Sequence, residues 1–241
     1  MGLNNMTVLY RLFNGSKEKF KTQIDNERDR FNACFPSSMI NVATIFGLDK
    51  EFPTTHDKTG GYKQPEDAFD WFMHNNPECV AFVNKNPAFK SYALKAGNDI
   101  RELWDVEVFA FNKWIGREVC KVNYNFKLNN MAEILNDGKG FVTSLKYNRF
   151  AHVISVVGAD LFCNKDGSVN DITPEQRKVK EDFSNVENVI IADSYGDINE
   201  GYAKSKADCW SIKVPKEKFL DYINKDSLKK TQLFYGIVFN V

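Results

Sequence analysis

Cys34 lies two residues ahead of Pro36, with Ser37 and Ser38 beyond it, and the chain then runs Met39, Ile40, Val42, Ala43, Ile45 and Phe46 up to Gly47. Proline suits a first helical turn and glycine a helix stop, so the spacing predicts a buried helix over about Pro36 to Phe46. A thiol at such an N-terminus sits at the positive end of the helix dipole, which favours the thiolate, the form that attacks carbonyls. A nucleophile of this kind needs a base. The chain has three histidines, His56, His74 and His152. His152 opens the β-branched run Ala151 to Val157, bounded by Gly158, which predicts a buried strand. A second such run, Val189 to Ala192, ends on Asp193. If the two strands are sheet neighbours, Asp193 can hold one ring nitrogen of His152 and leave the other for Cys34. That is the arrangement needed for acyl transfer through a thioester.

Three blocks carry a family resemblance. The first is Gln23-x-Asp25-Asn26 followed by Cys34-x-x-x-Ser38-Met39. The second is Ala151-His152-Val153-Ile154 with Gly158-Ala159-Asp160. The third is Ile191-Ala192-Asp193-Ser194-Tyr195-Gly196 with Gly201-Tyr202. In this order they resemble the C39-like group of papain-fold cysteine peptidases, over about half of the chain. The resemblance implies a catalytic Cys34, His152 and Asp193, with the Cys34 N–H as one oxyanion donor and an upstream side-chain amide as the other. Gln23 is the favoured amide, with Asn26 and Asn32 as rivals. It further implies a peptide or peptidoglycan-peptide substrate and no cofactor or metal. Two positions depart from the family pattern. Phe35 replaces a small residue after the nucleophile and could narrow the acyl pocket. Ser194 replaces the proline after the acid, a change that a turn tolerates.

Two further readings of the same residues differ in outcome. The triad could serve a transamidase or amidase, or the chain could be a catalytically silent binding protein with Phe35 blocking a papain-like cleft. The plainest alternative makes Cys34 a core cysteine, His152 a satisfied strand histidine and Asp193 a turn former.

The elements that must position these residues divide the chain. Met6 to Phe13 suggests a short strand or arm, and Phe52 to Tyr62 a loop. Helices are expected from Pro65 to about Asn75, over Pro87 to Lys95, from Asp99 to Trp114 and over Leu128 to Leu135; Val106 to Phe111 also alternates like a strand. Strands are expected over Gly140 to Leu145, Phe150 to Val157, Asn188 to Ala192, Cys209 to Val214 and Leu233 to Phe239, with a helix from Pro215 to Ile223. A helical lobe (about 15–137) packed on an antiparallel sheet lobe (about 138–241) is an α+β layout. As one domain spanning 1–241, it is the layout that a papain-like cysteine peptidase fold requires.

Composition bounds what remains. The 241 residues are 43% hydrophobic, enough for a large core, and 32 basic side chains balance 32 acidic ones, so no net charge draws the chain to nucleic acid or an anionic membrane. Oligomeric state is left open. Five cysteines, odd in number and without a CxxC pair, argue for a reducing compartment rather than a disulfide framework. No signal-peptide pattern and no apolar span of membrane length stand out, which gives a cytoplasmic expectation as synthesised and no membrane insertion. The stretch Asn164 to Asp171 imitates part of a calcium loop, but Phe162 and Thr173 fall where carboxylates are needed. His74 and Cys79 lack a second ligand pair for zinc.

Overall fold

In the computed structural model, residues 6–86, 104–147, 150–165, 172–202, 208–226 and 234–240 are described. The strands are β1 (Met6–Phe13), β2 (Cys120–Phe126), β3 (Phe141–Tyr147), β4 (Phe150–Lys165), β5 (Val186–Ala192), β6 (Ile212–Pro215) and β7 (Phe234–Phe239). The helices are α1 (Cys34–Ile45), α2 (His56–Thr59), α3 (Pro65–Asn75), α4 (Pro77–Lys85), α5 (Trp104–Ile115), α6 (Leu128–Asn136) and α7 (Lys216–Asp226). Every strand pairing is antiparallel, in the order β2-β7-β3-β4-β5-β6, with β1 also on β4. The chain is thus α+β.

β4, at 16 residues, organises the sheet. Its first half pairs with β3, setting Leu145 opposite His152. Its second half pairs with β1, setting Phe13 opposite Gly158, so β1 continues the edge that β3 begins. Gly158 therefore does not end this strand, as its position suggested. A Cβ there would lie 2.2 Å from the Leu12 carbonyl oxygen, and glycine is what lets β1 close onto β4. On its other edge β4 pairs with β5, with a register irregularity between Val156 and Gly158.

Both faces of the sheet are covered. On β3, Phe141 packs into one core with Met131 and Leu135 of α6 and Phe219 and Ile223 of α7. Its neighbour Val142 points the other way, into a second core with Met39 of α1, Phe69 of α3 and Phe111 and Trp114 of α5. Each large buried side chain in these cores stabilises the fold by about 1.5–3 kcal/mol. Helices on two faces differ from the single helical lobe expected. β2 also falls inside the range expected to be helical (15–137), where it pairs with β7. Its residues Lys121 to Asn125 are mostly exposed, so it lacks the apolar run that marks a buried strand.

Other local expectations fared unevenly. Val106 to Phe111 is helical, because Val106, Ala110 and Trp114 share one buried face at four-residue spacing. Within Phe52 to Tyr62 the chain makes the short helix α2 rather than a plain loop. The helix expected over Pro87 to Lys95 lies outside the described residues, as does 166–171 of the calcium-like stretch, whose Asn164 and Lys165 belong to β4. Among the described residues no cluster of side chains could hold a metal ion, and no helix is long and apolar enough to cross a membrane.

Candidate active site

Cys34 is the first residue of α1, two positions earlier than the sequence pattern indicated, and Pro36 occupies the first turn. The first helical hydrogen bond runs from the Ser37 N–H to the Ala33 carbonyl (3.0 Å). The Cys34 and Phe35 N–H groups lie ahead of that bond, as the first donors of a helix must. Phe35 is buried among the α1, α3 and α5 side chains and meets Trp104 edge-on at 4.7 Å. Its ring belongs to the helical core, which removes the reason for expecting it to narrow an acyl pocket.

Two bonds hold α1 against the strand that carries His152. The Ser38 hydroxyl donates to the Val153 carbonyl (3.1 Å), and the Ser155 hydroxyl donates to the Ser38 carbonyl (3.1 Å). The Cys34 thiol is half-buried and lies close enough to the His152 ring and the Val153 backbone for both to act on its charge. Burial opposes the thiolate, but the nearby His152 ring, its charge and the Val153 backbone outweigh burial, and the thiol pKa falls below its ordinary value. For His152, burial pulls downward while Asp193 and then Cys34 pull upward, and the ring ends raised to about 10. Opposite shifts on neighbouring acid and base favour the charged form of each.

His152 donates from Nε2 to Asp193 Oδ1 at 2.8 Å, which leaves Nδ1 as the ring atom for Cys34. Register explains the meeting. Ser155 opposes Ala192, so Asp193 falls opposite Ile154, one diagonal step from His152. Asp193 is completely buried and accepts four hydrogen bonds. Besides the imidazole, Oδ1 takes the Tyr195 N–H (3.0 Å) and the Gly196 N–H (3.4 Å), and Oδ2 takes the Tyr202 hydroxyl (2.8 Å). Tyr202 holds a left-handed backbone (φ 56°), uncommon for a tyrosine. Burial, followed by the Asp193 charge, pushes its phenol pKa up, so its hydroxyl remains a donor. Its ring also stands edge-on to His152 at 5.3 Å.

Gln23 opens a short 3-10 helix and is 1% exposed. Its Nε2 donates to the Arg30 carbonyl (3.0 Å), its Oε1 accepts from the Ser194 hydroxyl (2.8 Å), and its N–H donates to the Ser194 carbonyl (2.9 Å). Of the rival amides, Asn32 is exposed and bonded to Asp29 (3.1 Å), which sets it apart from the buried group. Asn26 is buried, and its side-chain nitrogen and oxygen have no hydrogen-bond partner among the described residues.

Cys34, His152 and Asp193 thus stand in sequence, the sulfur beside the imidazole and the imidazole hydrogen-bonded to the carboxylate, and Gln23 joins them through the residue after the acid. Sequence reasoning overlooked the roles of Tyr202 and Ser194. Tyr202 stood within the third quoted block, but nothing local marks a tyrosine as the second partner of an acid nine residues away. No family model matches the chain, and no curated protein matches it.

Proposed function

We propose that the chain is a cysteine peptidase with a papain-like, C39-like arrangement, hydrolysing an amide bond through a thioester. The observation that carries the proposal is the imidazole of His152, hydrogen-bonded to a buried carboxylate on one side and acting on a thiol at a helix N-terminus on the other. A core cysteine needs neither. An antiparallel sheet carrying base and acid, crossed by a helix carrying the sulfur, is the layout such a fold uses.

Thiolate Cys34 attacks the carbonyl carbon while the imidazolium of His152 holds the proton. The negative charge moves to the carbonyl oxygen, where the Cys34 N–H and the Gln23 amide receive it. Collapse breaks the C–N bond, and His152 Nδ1 protonates the departing amine. Neutral His152 then takes a proton from water, hydroxide attacks the thioester, and the acid product leaves with Cys34 restored. Asp193 keeps Nε2–H oriented throughout, with Tyr202 and two backbone N–H groups holding the carboxylate.

The substrate proposed is a peptide or a peptidoglycan peptide. Mass spectrometry after incubation with peptide aldehydes, peptide epoxides and peptidoglycan fragments tests this. A single adduct on Cys34, lost in Cys34→Ala, is the expected result. Absence of any adduct at Cys34 across the panel would sink the proposal.

A further inference from the structure

Ser194 stands next to the acid, and its surroundings are those of a fixed joint rather than a turn. It is completely buried, as is Gln23 at 1% exposure. Three hydrogen bonds tie the two segments: Gln23 N–H to the Ser194 carbonyl (2.9 Å), the Thr22 hydroxyl to the same carbonyl (2.8 Å), and the Ser194 hydroxyl to Gln23 Oε1 (2.8 Å). The last bond decides which way the amide faces. The Arg30 carbonyl can only accept, so the atom 3.0 Å from it must be the Gln23 NH2, and the oxygen must face Ser194. Without the Ser194 hydroxyl, Oε1 is a buried acceptor with no donor, and the amide loses the partner that fixes its rotation. A proline at this position, such as the family pattern carries, has no hydroxyl to offer.

We infer that Ser194 is a positioning residue that orients the Gln23 amide for the oxyanion and locks it to the segment bearing Asp193. This rests on the proposed acyl-transfer reading of Cys34. Gln23 uses one N–H on Arg30 and keeps the other for the substrate oxygen, and Ser194 sets where that N–H lies. The acid and the oxyanion donor then move as one body, through two consecutive residues.

Two reactions at the same sulfur separate this role from the integrity of the triad. Iodoacetamide alkylates the thiolate by direct displacement of iodide, with no oxyanion. With p-nitrophenyl acetate, the thiolate forms a C–S bond to the carbonyl carbon, the oxyanion collapses, the C–O bond breaks and p-nitrophenolate leaves; water then hydrolyses the thioester. Both are followed at Cys34 by peptide mass spectrometry. In Ser194→Ala, acetyl transfer should fall about tenfold while alkylation and its pH profile stay within about twofold of wild type. Gln23→Ala should lower acetyl transfer about a hundredfold, and the double variant should be no slower than Gln23→Ala alone. Ser194→Thr, which keeps the hydroxyl, should recover most of the rate.

Wild-type acetyl transfer in Ser194→Ala or in Gln23→Ala overturns the inference, as does additivity in the double variant. Equal loss of both reactions in Ser194→Ala, unrelieved in Ser194→Thr, also overturns it, because the residue would then be structural. A wild-type protein in which Cys34 alkylates no faster than in His152→Ala fails earlier, at the nucleophile itself.

Discussion

Cys34 and Cys120 are both packed within the molecule, yet their sulfurs face opposite electrostatics. Cys120 begins β2, 1% exposed, with the Asn112 side-chain oxygen 3.6 Å from its sulfur. Burial first, then the charges of Glu107 and Glu118, push its pKa upward. Cys79 on α4 follows the same course, raised to about 11 by burial and then Glu78. At Cys34 burial is again the largest influence and acts in the same direction, but a neighbouring imidazole and the Val153 backbone overcome it. Burial raises every one of these thiols, and the charge of the neighbour decides whether that rise is reinforced or reversed, the reversal being what a nucleophile would need.

The comparison breaks most sharply at His152. His152→Ala removes what distinguishes the two sulfurs, so alkylation of Cys34 at pH 6 should drop about a hundredfold, towards that of an ordinary thiol. Peptide hydrolysis should fall by about 10⁴-fold or more. Unchanged alkylation, measured by quenched labelling and mass spectrometry, would place the cause elsewhere than the imidazole.

Asp193→Asn tests the next link outward. An amide can hold the wrong ring tautomer, so hydrolysis should fall about a thousandfold with little change in fold, read by a rate assay beside a circular dichroism spectrum.

The pH profile sharpens the picture further. Cys34 lies below its usual value and His152 is raised to about 10. Hydrolysis should therefore gain its acid limb below the normal thiol range and fall on an alkaline limb near pH 10, where His152 loses the proton owed to the leaving amine. Both apparent values belong to the coupled pair. For stability the sign follows from His152 being raised: its contribution is complete below its unfolded value near 6.5 and disappears as pH passes about 10. Thermal melts against pH would show it.

Tyr202→Phe should have a smaller effect, about tenfold in rate and about 1–2 kcal/mol in stability, because Asp193 keeps its other three donors. Glu66 shows burial prevailing at a carboxyl group. It is 1% exposed with one oxygen unpartnered, and burial raises it to about 7. A raised acid stabilises most below its unfolded value of 4.5, and that stability declines as pH rises through about 7, by about 3 kcal/mol at most. Glu66→Gln should flatten this slope in denaturant titrations without changing hydrolysis.

Much of the site was legible because its chemistry is spelled in local patterns. Pro36 and Gly47 framed α1, and the β-branched runs before Gly158 and Asp193 marked β4 and β5. The order of thiol, imidazole and acid needed only that these strands be neighbours, as they are. What escaped was fixed by partners distant in the chain. Gly158 read as a stop, and only the Leu12 carbonyl beside it shows why the strand continues. β2 alternates Cys120, Val122, Tyr124 and Phe126 with Lys121, Asn123 and Asn125, but it is short and lies between helices, and its place comes from pairing with β7. Ser194 read as a replaceable turn residue, because its hydroxyl acts on Gln23, 171 positions away.

The pairing of Met6–Phe13 with 158–165 has a consequence for how the molecule is made. Contacts so remote along the chain close late, and a ribosome emits the first strand long before its partner. Until β4 and β5 have emerged and docked, Cys34 has neither His152 nor Asp193 at hand, so the surroundings that lower its pKa assemble only after most of the polypeptide has been made.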